Sequence, residues 1–287
     1  MVRTVALLFR GICSSEYVDA KDMARYRVCY RDSIHSLTVN LFNANPDVRF
    51  DLFGFGWTDG GRGADDVRRD FGTIPNVRVC DVDVRAQKSF ADQFEETIGN
   101  HAHVLRSVFQ FRPNTTIDPK HVHTRDHFQN QFSYFYAVEK AATLVPPESE
   151  YDLFCCLRWD IDLVTPIKLE ALDFSKNKLF INTQPAHSPV FLGDFFIISD
   201  RNLFTIFFQF YKEIMRQSGA LYPDIEVWMK LCIDNAVHYS PHCRYSLSCY
   251  THQAILAYFL SRNDVVYEDI DHSICCRLNK TRVTNGL

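Results

Sequence analysis

The sequence has no uninterrupted apolar run of about 18 residues, so no segment is long enough to cross a membrane as a helix. Its first apolar stretch, Val5 to Phe9, is too short for a secretory signal and ends at once in Arg10. No Cys-x-x-Cys pair occurs, which argues against a structural zinc site. There is no Gly-x-x-x-x-Gly-Lys-Ser/Thr loop and no kinase-like lysine strand. A basic arm or stripe is also missing, and the net charge is −4, which argues against a nucleic-acid partner. Any phosphate must then be met locally, by a few arginines, a metal ion and backbone donors. Without repeats or a linker rich in Gly, Ser or Pro, residues 1–287 read as one domain.

What is present is a large apolar complement. Hydrophobic residues make up 46% of the chain, with 24 Phe and 13 Tyr, enough for a well-packed core rather than a disordered chain. The ten cysteines are isolated, adjacent or inside a predicted core strand, a placement that fits reduced thiols better than a disulfide framework. A cytoplasmic protein is expected.

The pattern along the chain alternates strand and helix. Val5 to Phe9 reads as a first strand, and Tyr26 to Asn43 carries apolar residues at helical spacing. Val48 to Phe55 alternates as a second strand, followed by a glycine-rich loop over Trp57 to Gly63, and Val77 to Val84 reads as a third strand. Helices are expected over Phe90 to Phe109, Phe128 to Leu144, Asn202 to Gln217, Ile225 to Asn235 and Thr251 to Leu260. Further strands are expected at Leu179 to Asn182, Phe195 to Ser199 and Val265 to Tyr267. This order predicts an α/β fold of Rossmann-like type, with a mostly parallel central sheet flanked by helices. His121, His123 and His127 read as solvated side chains rather than ligands.

The most informative stretch is Tyr151-Asp-Leu-Phe-Cys-Cys-Leu-Arg-Trp-Asp-Ile-Asp-Leu163. Leu153 to Leu157 is a short apolar run, as expected of a strand buried on both faces, and it leads into Asp160-Ile161-Asp162. Alternation puts the two aspartates on one side, close together, where the sheet runs out. Two adjacent carboxylates repel unless a cation lies between them, and hard divalent ions take oxygen ligands while keeping places for substrate phosphates. A solvated Asp-x-Asp in a loop is the competing reading. Arg158 falls on the same side as Asp160, where it could pair with that carboxylate or touch a phosphate.

These tracts, with Phe9-Arg10-Gly11 and Asp51-Leu-Phe-Gly-Phe-Gly-Trp57, resemble the compact GT-A glycosyltransferases of bacterial capsule clusters and large DNA viruses. The 151–163 tract is similar to their YDxxxxxRxDxDL strand, and Gly193-Asp194-Phe-Phe-Ile-Ile-Ser199 to their GDxFxIS strand. The resemblance extends to viral enzymes that glycosylate a capsid protein, with xylose as the implied sugar, and would set the protein in the host cytoplasm. It implies a UDP-sugar donor, Mn²⁺ or Mg²⁺, and an oligosaccharide or glycoprotein acceptor. It also implies a nucleotide-binding part over roughly residues 1–165 and an acceptor-binding part over the remainder.

Glycosyl transfer assigns the candidate residues. Asp162 and Asp160 are metal candidates, Asp162 the preferred direct ligand, with Asp160 toward the sugar or acting through water. Phe9, Arg10, Gly11, Arg158 and Asp160 are donor-binding candidates, Phe9 as a platform beneath uracil and Gly11 allowing close backbone approach. An ordinary strand–loop turn is the other reading of Arg10-Gly11. Asp194 is the candidate general base of an inverting transfer; otherwise it caps a turn. His252, Asp271 and His272 fall where a third metal or acceptor contact is expected, and Thr251-His252-Gln253 departs from the family's acidic position there. The rival functions are a phosphotransferase or hydrolase using the same Asp-x-Asp, and a carbohydrate-binding protein without turnover.

Overall fold

The computed structural model describes residues 2–18, 24–59, 62–86, 125–174, 178–183, 192–206, 260–269, 276–278 and 281–282. Its first strand, β1 (Thr4–Arg10), is an apolar run that pairs in parallel with β4 (Arg49–Thr58) on one side and β6 (Leu153–Arg158) on the other. Such double flanking requires both faces to be apolar, and Val5 through Phe9 are all essentially buried. At Gly11 the backbone turns to φ 93°, where only glycine is unstrained, and the chain resumes as β2 (Ile12–Val18). β2 goes on pairing with the far end of β4, Ile12 opposite Trp57, so β1 and β2 are one strand path kinked at Gly11. It then folds back as an antiparallel pair with β3 (Arg25–Cys29).

β5 (Val77–Ala86) pairs in parallel with β4. Beyond β6, β9 (Leu192–Ser199), β8 (Lys178–Thr183) and β10 (Val266–Asp269) extend the sheet, which is closed at the other edge by β12 (Thr281–Arg282). Among the described residues five of the nine pairings in this sheet are parallel, and they include all those around β1 and β4. The antiparallel partner of β6 is β9, which is also antiparallel to β8. A separate two-stranded sheet joins β7 (Ile161–Leu163) to β11 (Cys276–Leu278).

Side-chain alternation sorts the sheet into two faces. One face, carrying Val5, Leu7, Phe9, Leu153, Cys155 and Leu157, packs on α1 (Tyr30–Leu37), the π-helical turn Thr38–Phe42 and α2 (Ala64–Phe71). The opposite face, with Arg10, Phe55 and Trp57, lies under α3 (Arg125–Thr143). Each fully buried Leu, Val or Phe contributes about 1.5–3 kcal/mol, so this double burial fixes the strands that carry the site. The α/β architecture with a central parallel sheet flanked by helices is the one expected.

Several boundaries differ. Arg25 to Cys29 forms strand β3, so the helix expected from Tyr26 begins at Tyr30. Trp57 and Thr58 belong to β4 rather than to a loop, and α2 follows it. The helices expected at Phe90 to Phe109 and Ile225 to Asn235 lie outside the described residues, as does all but the last residue of the one expected at Thr251 to Leu260. His121, His123, His252, Asp271 and His272 also lie outside them. His127 belongs to α3, with its side chain outside the described part. Among the described residues Cys13, Cys29, Cys80, Cys155 and Cys156 are free thiols, and burial pushes those of Cys13 and Cys155 well up. No described helix is long and apolar enough to cross a membrane.

Candidate active site

β1, β4, β5 and β6 are mutually parallel, so their carboxyl ends meet at one rim of the sheet. Open α/β sheets bind ligands at this rim, because loops there are free of packing duties and strand ends expose backbone groups. Arg10 and Arg158 are register partners on β1 and β6 and project from the same face of the sheet. Arg10 is 2% exposed, and its guanidinium lies 4.2 Å from the centre of the Tyr134 ring on α3, a cation–π contact.

The tract after β6 departs from a simple strand end. β6 stops at Arg158, Trp159 and Asp160 form a turn, and Asp162 sits in the middle of β7. Asp160 is 3% exposed and receives a bidentate pair from Arg158, Nε and Nη2 each at 2.7 Å. The carboxylate expected beside Arg158 is thus in contact with it. Asp162 is half-buried and lies opposite Arg277 of β11.

The residue after Asp162 is held on both backbone atoms. Leu163 N–H donates to Ser36 Oγ at 3.1 Å, and its carbonyl accepts from Asn40 Nδ2 at 2.6 Å. Asn45 binds further on, donating to the Ile167 carbonyl and accepting from Leu169 N–H. Helix α1 and the π-helical turn therefore fix the course of the chain on which Asp162 rides; π-turns recur at such functional positions.

Trp159 sets the floor of the rim. Its indole is fully buried, stacks on Phe9 at 4.5 Å, and donates Nε1–H to the Phe55 carbonyl at 2.9 Å. A Cβ at Gly54 would come within 2.4 Å of the indole and one at Gly56 within 2.9 Å, so both glycines of the Phe-Gly-Phe-Gly tract make room for Trp159. This corrects the expectation for Phe9. Its ring is enclosed between Trp159 and Phe71, and so presents no face to a nucleobase. A Cβ at Gly11 would meet open space, and the Gly11 carbonyl accepts from Trp57 N–H at 2.9 Å.

β9 runs antiparallel beside β6 with Phe196 opposite Leu157. Asp194, two residues earlier on β9, therefore lies at the Arg158–Trp159 end of β6, within the strand rather than before it. Its side chain is outside the described part. On the other flank of the rim stands a group the sequence reading missed. Arg85 of β5 pairs with Asp83 at 2.6 Å and donates to Tyr136 Oη at 3.3 Å, and Tyr136 in turn stacks on Trp57. Hydrogen bonding to Asp83 holds the Arg85 guanidinium even more firmly protonated. The available signal was the alternation of Asp81-Val-Asp-Val-Arg85, which puts Asp81, Asp83 and Arg85 on one side of β5.

The donor set fits a hard divalent ion only in part. Among the described residues no group of three metal-ligating side chains gathers, and Asp160 has both oxygens on Arg158. Asp162 offers carboxylate oxygen at the rim, the ligand type such an ion takes, and water and phosphate ordinarily complete its shell.

No protein-family model and no curated protein matches the chain. Among solved structures it is similar to mouse xyloside xylosyltransferase 1 in its apo form, with 9% identity, 94% of this chain and 85% of that chain covered, and a TM-score of 0.40. It is also similar to the galactosyltransferase LgtC in complex with donor and acceptor sugar analogues, with 13% identity, 92% and 72% covered, and a TM-score of 0.35. An active-site mutant of LgtC gives 12%, the same coverage and 0.36. These neighbours are glycosyltransferases. The viral side of the sequence resemblance finds no support among them.

Proposed function

We propose that the chain is a glycosyltransferase of GT-A type, moving a sugar from a UDP-sugar to a glycan or glycoprotein hydroxyl with inversion. The observation that carries the reading is the meeting, at one rim of a parallel sheet, of Arg10 and Arg158 with the Asp160-Ile161-Asp162 tract. Breaking the bond from a sugar to a nucleoside diphosphate drives negative charge onto the leaving phosphates, and fixed cations stabilise that charge without reorganising. Arg10 and Arg158 are cations of this kind in a chain of net negative charge. Asp162 would hold the divalent ion, which when bound neutralises diphosphate charge as a Lewis acid.

Asp194 would take the proton from the acceptor hydroxyl as that oxygen attacks the anomeric carbon. Its position on β9, beside β6, supports this role over a capping one. Gly11 leaves space for the nucleotide to lie against the backbone. Xylose is the donor sugar we would try first, on the sequence resemblance. The buried free thiols Cys13, Cys29, Cys155 and Cys156 agree with a cytoplasmic setting.

The test is a screen of UDP-sugars with Mn²⁺, reading UDP release and the anomeric configuration of the product by NMR. Turnover with one or a few UDP-sugars, lost in Asp162→Asn, is the expected result. Phosphate release from ATP or UDP without glycoside formation would overturn the assignment in favour of a hydrolase.

A further inference from the structure

Resting on that reading, we infer that residues 276–282 form a strap across the donor crevice, which fixes β7 through the main chain and docks together with the nucleotide. The paths of β1 and β6 stay paired as far as Arg10 and Arg158, and Trp159 N–H still donates to the Arg10 carbonyl at 3.2 Å. Beyond that point they part. β2 continues beside β4 and β3, whereas β7 turns off to pair with β11. The opening between them lies outside the carboxyl ends of parallel strands, where such sheets take their ligands.

The C-terminal chain crosses from one bank of this opening to the other. β11 pairs with β7 on the first bank, and β12 pairs with β3 on the second, Thr281 opposite Arg27 and Arg282 opposite Tyr26. Only Asn279 and Lys280 separate Leu278 from Thr281, which holds the two pairings within about 11 Å of each other.

On the first bank the attachment is made by backbone. Leu163 donates its N–H to Ser36 Oγ and accepts from Asn40 Nδ2, so its backbone groups face α1 and the π-helical turn. Successive residues of an antiparallel strand turn these groups to opposite edges, so those of Asp162 face β11. There Arg277 is the register partner, and a pair facing in this way exchanges both N–H···O bonds. The course of β7 is thus set from α1 on one edge and from the C-terminal strand on the other. β11 has three residues and β12 two. Pairings this short open well below global unfolding, and a ligand that needs them closed shifts them toward the closed state.

The experiment uses the full chain with UDP and Mn²⁺ as the probe. Amide exchange of the peptide containing Arg277 is read by mass spectrometry, and UDP affinity by calorimetry. With UDP at about a hundredfold over its Kd, exchange at Arg277 should slow about a hundredfold, because opening then requires release of the nucleotide. β10, a four-residue strand at the other edge of the sheet, is the control and should keep its rate. Arg277→Pro removes the N–H offered to Asp162 and should weaken UDP binding at least about tenfold. Arg277→Ala keeps that N–H and should stay within about threefold of wild type.

Exchange at Arg277 that UDP leaves unchanged, or slows no more than in β10, overturns the inference while the glycosyltransferase reading stands. Equal losses in Arg277→Ala and Arg277→Pro overturn it as well, since the side chain rather than the main chain would then carry the effect. Should Arg277→Pro not fold, the exchange of wild type decides alone. Failure of wild type to bind UDP would remove both this inference and the functional reading beneath it.

Discussion

The two ends of the parallel sheet both carry charge, and they treat it differently. At the amino end, Asp51 of β4 is fully buried and saturated with partners: Arg78 Nε at 2.9 Å, Tyr151 Oη at 3.0 Å, and Arg49 at 3.3 Å. Nearby, Asp152 accepts from the backbone N–H groups of Arg3 and Thr4, each at 2.8 Å, tying the start of β6 to that of β1. One buried anion there draws in more cations than it needs. At the carboxyl end Arg10 and Arg158 share a rim with Asp160, which is paired to Arg158 from the turn after β6, and with Asp162 on β7. Charges at the amino end tie β4, β5 and the start of β6 together, while those at the carboxyl end gather where the parallel strands run out. Buried charge alone does not mark a site; its place on the sheet does.

The comparison breaks most readily at Asp194. Asp194→Asn should lower turnover by ~10²–10⁴-fold per folded molecule while UDP binding is kept, as expected for loss of a general base. An active variant with a lowered melting temperature would return Asp194 to a capping role.

A smaller effect, on stability, should follow from crowding Trp159. Gly54→Ala drives a methyl group into an indole already stacked on Phe9 and should cost about 1–3 kcal/mol in urea unfolding. Because Trp159 precedes Asp160, UDP affinity should fall with it; unaltered stability would show that the indole can move aside.

At the amino end, Asp51→Asn should destabilise by about 1–2 kcal/mol. That is at the low end for a broken buried pair, since Arg78 and Arg49 are more than half exposed and can turn to water. UDP binding should be untouched, and a loss of affinity there would erase the distinction between the two ends.

The smallest effect concerns acid. Burial raises the Asp152 carboxyl pKa, but the backbone donors of Arg3 and Thr4 outweigh it and leave the group below its ordinary value. A depressed folded pKa contributes stability above the unfolded value and loses it as pH falls through the folded one. Melting temperature should therefore decline below about pH 4. Asp152→Asn should flatten that decline by no more than ~0.5 kcal/mol, because the group is largely solvated.

Much of this was legible in the sequence, for a physical reason. Strands buried on both faces, such as Leu153 to Leu157 and Val5 to Phe9, announce themselves as apolar runs, and their order forced a parallel centre. The hairpin β2–β3 was not legible: Arg25-Tyr-Arg-Val-Cys29 alternates over five residues, and the helical spacing that starts within it overrode the shorter signal. Arg10, Arg158 and Asp160 could be set at strand ends by counting. Which partner Arg158 would take could not, because a period of two gives the side and not the contact. Phe9 was misjudged because its neighbour across the sheet, Trp159, fills the space that Gly54 and Gly56 vacate, a long-range fit that no local window contains.

The central claim is that the carboxyl rim of β1 and β6 binds the donor diphosphate. A crystal structure with UDP and Mn²⁺ tests it most directly. The account predicts the diphosphate against Arg10 and Arg158, with the ion on Asp162. Nucleotide bound at the Asp51–Arg78 end, or a diphosphate touching neither Arg10 nor Arg158, would contradict it.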